Sequence, residues 1–335
     1  MLRPLTSRLP QARVKLILKL ILSFSFLGLV LSRLDLTRLL HVVAGARPEF
    51  LLLAVSIQIL TLLLSAFRWR IVLENFKICQ RWYPLTKLVF IGAFFNLFLP
   101  SAIGGDVFRA YYLSKGTGRG MSTTLTTSML ERNGGLCGLL LIGFAASLVV
   151  PQQIAGLSSL HIFLAACAVY AVANVMLFHS WTHGRMTCMV QRFGFHSLTR
   201  KMELVYQGLD ALKRNSGKMA SVAVVSLPIQ AGAVAVVWVT AQGIGIEAPF
   251  SLFMVFVPLI NLTIMVPLTI NGIGLRESAY YLLFSQAGVP AEMSVTLSLL
   301  GFVVMMLSSL PGIVYYSIRK QEEIDLETAA IARED

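Results

Sequence analysis

Acidic residues are scarce in this chain: Asp and Glu together number 16 among 335 residues, and charged residues of both signs make up only 13%. A soluble domain carries about a quarter charged residues, so a fold surrounded by water is excluded. Cysteine is sparse too. Cys79, Cys137, Cys167 and Cys188 show no CxxC or Cys/His ligand spacing, which leaves unpaired thiols and no metal centre. Catalytic signatures are missing: there is no HExxH, GxSxG or aspartate-rich metal motif, and the longest soluble stretch, 179–218, is too short for a usual catalytic domain. We therefore expect a non-enzymatic protein without a cofactor. His179 and His183 have i, i+4 spacing but no third ligand. GTGRG at 116–120 lacks phosphate-loop spacing and a preceding strand, so it reads as a turn.

What the chain has in quantity is apolar sequence, 56% of residues, with a mean hydropathy of +0.75. Six stretches, 14–32, 49–67, 131–150, 158–178, 218–242 and 292–318, reach the roughly 17 to 25 residues that cross a hydrocarbon core. The first lacks a small-x-small cleavage site and reads as a retained span, with Lys15 and Lys19 snorkelling to the interface. The fold class is all-α, a polytopic membrane protein with one membrane domain over 1–320 and an acidic, partly disordered tail over 321–335. Gly134, Gly135 and Gly138 make a small face suited to close helix packing. The sequon at Asn261 falls inside a membrane segment and carries no weight.

The formal charge of +12 does not point to nucleic acid, because the cations are parcelled among loops. Lys and Arg number five in 1–19, five in 68–87, three in 109–119, seven in 179–218 and three from 319 onward, and none in 151–157 or 243–250. The positive-inside rule then places both termini and the loops 68–87 and 179–218 in the cytoplasm.

Two further segments, 85–113 and 250–284, are long enough to cross but broken in the middle. Six crossings already return a cytoplasmic N-terminus to a cytoplasmic C-terminus, so the broken segments either turn back as re-entrant hairpins or act as kinked spans, giving eight. If they turn back, they enter from opposite sides. The first carries Pro100-x4-Gly105-x3-Arg109 followed by Ala-Tyr-Tyr-Leu at 110–113, and the second Pro267-x4-Gly272-x3-Arg276 followed by Ala-Tyr-Tyr-Leu at 279–282. Interrupted hydrophobic segments at matching places of inverted repeats point to a transport site. Pro100 and Pro267 each end a half-helix, and the next half-helix presents N–H groups and a positive dipole end to an anion. Arg109 adds a bidentate phosphate contact.

The remaining ionisable residues in apolar surroundings are Asp106, the pair Glu131 and Arg132 in SMLERNGGL, and the pair Arg276 and Glu277 in GIGLRESAYY. A charge at a helix centre costs roughly 2.5 to 3.5 kcal/mol on insertion scales, so each needs a partner or a cavity. Two readings stand: an ion-paired bundle core, or a polar cavity that takes a charged headgroup.

FFNLFLPSAIGGDVFRAYYLSK, MLERNGGL and PLTINGIGLRESAYYLLFSQAG, in that order, resemble the lysylphosphatidylglycerol synthase transmembrane-region family, also called flippase-like or UPF0104, over about residues 15–320. The resemblance implies a membrane domain that moves lipid between leaflets; the soluble synthase domain of the multiple-peptide-resistance members is absent from this sequence. By the family pattern Gly104, Gly105, Asp106 and Arg109 match the first motif, Glu131 and Arg132 the second, and Gly274, Arg276 and Glu277 the third. With Gly272 of the repeat, these residues are the expected substrate site. The expected function is flipping of an anionic or aminoacylated phospholipid, or a lipid-linked intermediate, in the bacterial cytoplasmic membrane. The alternative is a membrane-embedded transferase or an accessory subunit presenting lipid to a separate lipid-modifying enzyme. No nucleotide-binding motif offers hydrolysis as a driving force.

Overall fold

The computed structural model describes residues 20–29, 32, 34–98, 104–154, 156–178, 216–266 and 268–331. Helices dominate: α1 (Leu20–Leu29), α2 (Leu36–Ala44), α3 (Pro48–Asn75), α4 (Trp82–Phe98), α5 (Gly104–Thr117), α6 (Met121–Val149), α7 (Ser159–Phe178), α8 (Ser216–Gly243), α9 (Phe250–Met265), α10 (Leu275–Gln286) and α11 (Ala291–Ile331). A small antiparallel hairpin, Gln153–Ile154 (β1) with Leu157–Ser158 (β2), turns the chain between α6 and α7.

Among the described residues five helices are long and apolar enough to cross a membrane: α3, α6, α7 over Ser159–Met176, α8 over Ala220–Gly243 and α11 over Ala291–Arg319. They coincide with five of the six expected stretches, and the chain is an all-α polytopic membrane protein. The sixth stretch is described only as α1, and Lys15, Lys19, His179, His183, Cys188, Pro100 and Pro267 lie outside the described residues.

Besides α1 and α2, four of the described helices are shorter. At 17, 14, 16 and 12 residues, α4, α5, α9 and α10 fall below the roughly 20 residues of a crossing. They pair into hairpins. In the first, Phe95 stacks on Phe108 with ring centroids 4.1 Å apart, while Asn96 accepts a hydrogen bond from the Gly105 amide at 2.9 Å. A Cβ on Gly105 would run into the Gly92 carbonyl oxygen, so only glycine lets α4 and α5 approach this closely. In the second, Phe284 of α10 packs on Phe253 and Phe256 of α9 at 5.2 and 5.3 Å.

The packing has a two-fold pattern. Exchanging α3 with α8, α4 with α9, α5 with α10 and α6 with α11 maps the packed pairs onto one another: α4 on α11 becomes α9 on α6, α3 on α11 becomes α8 on α6, and α3 on α8 maps onto itself. The pairing pattern is that of an internal two-fold repeat.

Three expectations need correction. Residues 68–87 are not one loop: α3 continues to Asn75 and α4 starts at Trp82, and Arg68 is buried inside the bundle. The stretch placed at 131–150 starts ten residues earlier in a helix that begins at Met121. The tail beyond 320 continues α11 as far as Ile331, where its composition suggested disorder.

The core beside the first hairpin is formed by Trp69, Leu73, Leu85, Leu88, Ile91 and Leu113. A larger cluster around Phe253, Phe256, Phe284 and Tyr280 supports the second. Gly134 and Gly138 sit against Val222 and Ser226 of α8, as a small packing face should.

Candidate functional site

Glu131 is the centre of a buried ion network. Its Oε1 accepts from Ser65 Oγ at 3.1 Å, from Arg68 Nε at 2.9 Å and from Arg68 Nη2. Its Oε2 accepts from Arg109 Nη2 at 2.7 Å. Arg68 also donates to Ser226 Oγ at 3.0 Å, so one carboxylate ties α3, α5 and α6 together and reaches α8 through Arg68. Trp69, fully buried, holds the Arg109 guanidinium over its ring at 4.7 Å and anchors its own Nε1 on Thr127 Oγ1 at 3.1 Å.

Asp106 stands next to this network, at the third helical position of α5. Arg132 of α6 donates from Nε to Asp106 Oδ2. Arg109 Nε lies 3.1 Å from Asp106 Oδ1, close enough for ion pairing. It is nevertheless a buried nitrogen without a hydrogen-bond partner, because its N–H does not point at that oxygen. The charged side chains of the cluster are no more than 7% exposed except Arg132, at 44%.

These groups line a cavity of about 400 Å³. Its wall takes Ser65, Arg68, Asn96, Asp106, Arg109, Glu131, Arg132, Gln230 and Asn261 on the polar side, and Leu62, Val89, Leu136, Leu139, Ile264 and Met265 on the apolar side. Among the described lining residues three guanidinium groups face two carboxylates. A positive surplus next to apolar surface suits an anion attached to hydrocarbon.

Asp106, Arg109, Glu131 and Arg132 thus come together in one place. Gly104 and Gly105 open α5 beside it, but the Gly105 N–H is committed to Asn96 Oδ1. Of the helix N–H groups expected to be open there, that of Gly105 is satisfied from within the protein.

The second motif is not among the residues lining this cavity. Glu277 accepts from the Gly274 N–H at 2.6 Å, from Arg276 Nη2 at 2.9 Å and from Ser298 Oγ of α11 at 3.0 Å. Arg276 also lies over Phe302 at 5.1 Å. Gly272 and Gly274 take positive φ values of 74° and 81°, which shape the turn between α9 and α10. Gly274 also packs on the backbone of α1. The hairpins meet at their tips, where Asn271 donates to the Leu97 carbonyl at 2.7 Å. The equal spacing of Arg109 and Arg276 in the sequence is not structural equivalence: Arg276 is the second residue of α10, whereas Arg109 sits one turn into α5. What the two half-helices share is an acid at the third position that reaches the following long helix, Asp106 to Arg132 and Glu277 to Ser298.

Sequence reasoning missed Arg68, Ser65, Trp69, Asn96, Gln230 and Asn261. For Arg68 a signal existed: no glycine or proline interrupts 49–75, so the helix that carries the apolar run continues through it.

The profile of the lysylphosphatidylglycerol synthase TM region family matches residues 16–312. A UPF0104 membrane protein of Methanocaldococcus jannaschii is 34% identical over 97 residues, which is 29% of this chain and 29% of that protein. The chain therefore aligns with less than a third of that relative's length. No solved structure matches. With a profile covering nearly the whole membrane region, the chain belongs to the lysylphosphatidylglycerol synthase TM region family.

Proposed function

We propose that this protein moves an anionic or aminoacylated phospholipid, or a lipid-linked intermediate, between the leaflets of a bacterial cytoplasmic membrane. One observation carries the reading: a cavity of about 400 Å³, within the size range of small-molecule sites, places three arginines against two carboxylates next to apolar side chains. The headgroup enters this cavity while the acyl chains stay in the bilayer. Arg132 meets the phosphate first, and Arg109 and Arg68 supply the field behind it. Residues 1–320 act as one membrane domain, with both termini and the acidic tail 321–335 in the cytoplasm. A separate lipid-modifying enzyme supplies or consumes the lipid.

The second motif is the counterpart of the first. In inverted-repeat transporters the repeats exchange conformations during the cycle, and Arg276 and Glu277 line the pathway when the second hairpin opens. Movement follows the lipid gradient or an ion gradient. The test is purified protein in liposomes with a fluorescent phospholipid whose inner-leaflet pool is followed by chemical quenching. Movement without cosubstrate supports the proposal; no movement, or conversion of the lipid to a new species, overturns it.

A further inference from the structure

At the base of the first hairpin, where α4 begins and α5 ends, two cations stand on aromatic rings instead of carboxylates. The Lys87 ammonium lies 4.6 Å from the centre of the Tyr83 ring and 5.6 Å from that of Tyr315 on α11. One turn beyond Tyr315, the Arg319 guanidinium lies 4.6 Å over the Tyr112 ring of α5 and donates from Nη2 to the Tyr112 carbonyl at 3.4 Å. Both cations are half-buried, and among the described residues neither forms an ion pair with an acid. The sequence explains this: residues 75–105, 107–130 and 293–321 contain no Asp or Glu. A tyrosine face attracts a cation without neutralising it, so two positive charges remain in one place. Lys87, Arg319 and the rings that hold them do not line the cavity. Trp82 and Tyr83 of α4 and Tyr111 of α5 are exposed beside them, as are aromatic side chains that sit at the level of lipid headgroups.

We propose that Lys87 and Arg319 form a second lipid site, which seats the phosphate of an anionic phospholipid at the base of the first hairpin. The rings fix the two cations from behind, and their remaining N–H donors turn toward the headgroup layer. A phosphodiester supplies the negative charge that α4, α5 and α11 lack in this region, and its acyl chains lie along the apolar helices below. Because Lys87 belongs to α4 and Arg319 belongs to α11 and grips α5, the bound phosphate ties the three helices together. A zwitterionic headgroup suits the site less well, since no carboxylate stands there to hold its ammonium group. This lipid is a fixed component of the hairpin and is separate from any lipid that enters the cavity.

The test is binding to the full-length protein in detergent, titrated with short-chain phosphatidylglycerol, short-chain phosphatidylcholine or inorganic phosphate, with bound molecules counted by native mass spectrometry. A cation at an anionic lipid surface contributes roughly 1 kcal/mol, or about fivefold. Lys87→Gln and Arg319→Gln are each expected to weaken phosphatidylglycerol binding by about fivefold, and the double variant is expected to bind one phosphatidylglycerol fewer than the wild type. Lys87→Arg keeps the charge and is expected to keep the lipid, which a merely structural role for the lysine stem would not require. If the double variant fails to purify, the two single variants decide the question. Unchanged phosphatidylglycerol binding in the variants overturns the proposal, and so does a loss that is equal for phosphatidylcholine. Inorganic phosphate bound as tightly as the lipid overturns the assignment to a lipid. Lipid bound in the cavity is common to the wild type and the variants, so absence of lipid movement removes the transport reading and leaves this site standing.

Discussion

The two hairpins begin from one pattern and end in opposite states. In each, a short helix carries an acid at its third position that reaches the next long helix. In the first, that acid lines a cavity together with Glu131 and three arginines. In the second, Glu277 is closed in on Gly274, Arg276 and Ser298, and the local charge is balanced. The difference shows that the same turn chemistry serves either to seal a half-helix or to leave it receptive, according to which side chains its neighbours provide. Arg68 and Arg109 converge on Glu131 beside the first hairpin; beside the second, the corresponding partner is the hydroxyl of Ser298.

The comparison is broken most severely at Glu131. Glu131→Ala leaves two buried guanidinium groups without their carboxylate and is expected to cost about 3 to 5 kcal/mol, measured as loss of thermal stability in detergent. Glu277→Ala frees a capped amide and a partly exposed arginine, so its cost is expected to be smaller, about 1 to 3 kcal/mol. A larger loss at Glu277 than at Glu131 would reverse the assignment of the load-carrying acid.

Gly105 is next in size. Gly105→Ala pushes a Cβ into the Gly92 carbonyl oxygen and is expected to cost about 1 to 3 kcal/mol through overpacking. Gly301→Ala, in α11 where a Cβ meets nothing within 4 Å, is expected to stabilise the protein by up to about 1 kcal/mol. Denaturation of both variants side by side tells close packing from a general glycine effect.

Smallest is the tie between the tips. Asn271 has φ 51° and donates to the Leu97 carbonyl at 2.7 Å, so Asn271→Gly removes the hydrogen bond without imposing backbone strain. A loss of about 1 kcal/mol is expected, with faster hydrogen exchange at both tips. Faster exchange at one tip alone would show that the hairpins move independently.

Much of this was legible beforehand. Long apolar runs located five spans, because a crossing is mainly a matter of length and hydropathy. Isolated charges in those runs drew attention to Asp106, Arg109, Glu131 and Arg132, since each needs compensation at membrane depth. Two things were hidden. Arg68 stood at the end of an apolar run next to other cations, where a count of loop charges absorbed it, and its pairing with Glu131 across 63 residues is a product of tertiary packing. The inequivalence of Arg109 and Arg276 was hidden because sequence spacing counts residues from a glycine, whereas geometry counts them from the start of the helix.

The claim that the first cavity receives the headgroup is tested most directly by mapping where a lipid sits. The wild-type protein in vesicles containing a phosphodiester lipid with a photoreactive headgroup is irradiated, and the adducts are located by peptide mass spectrometry. Adducts are expected on cavity residues such as Asn96 and Leu136. Adducts confined to outward-facing residues such as Val149 and Val172, with none in the cavity, would contradict it.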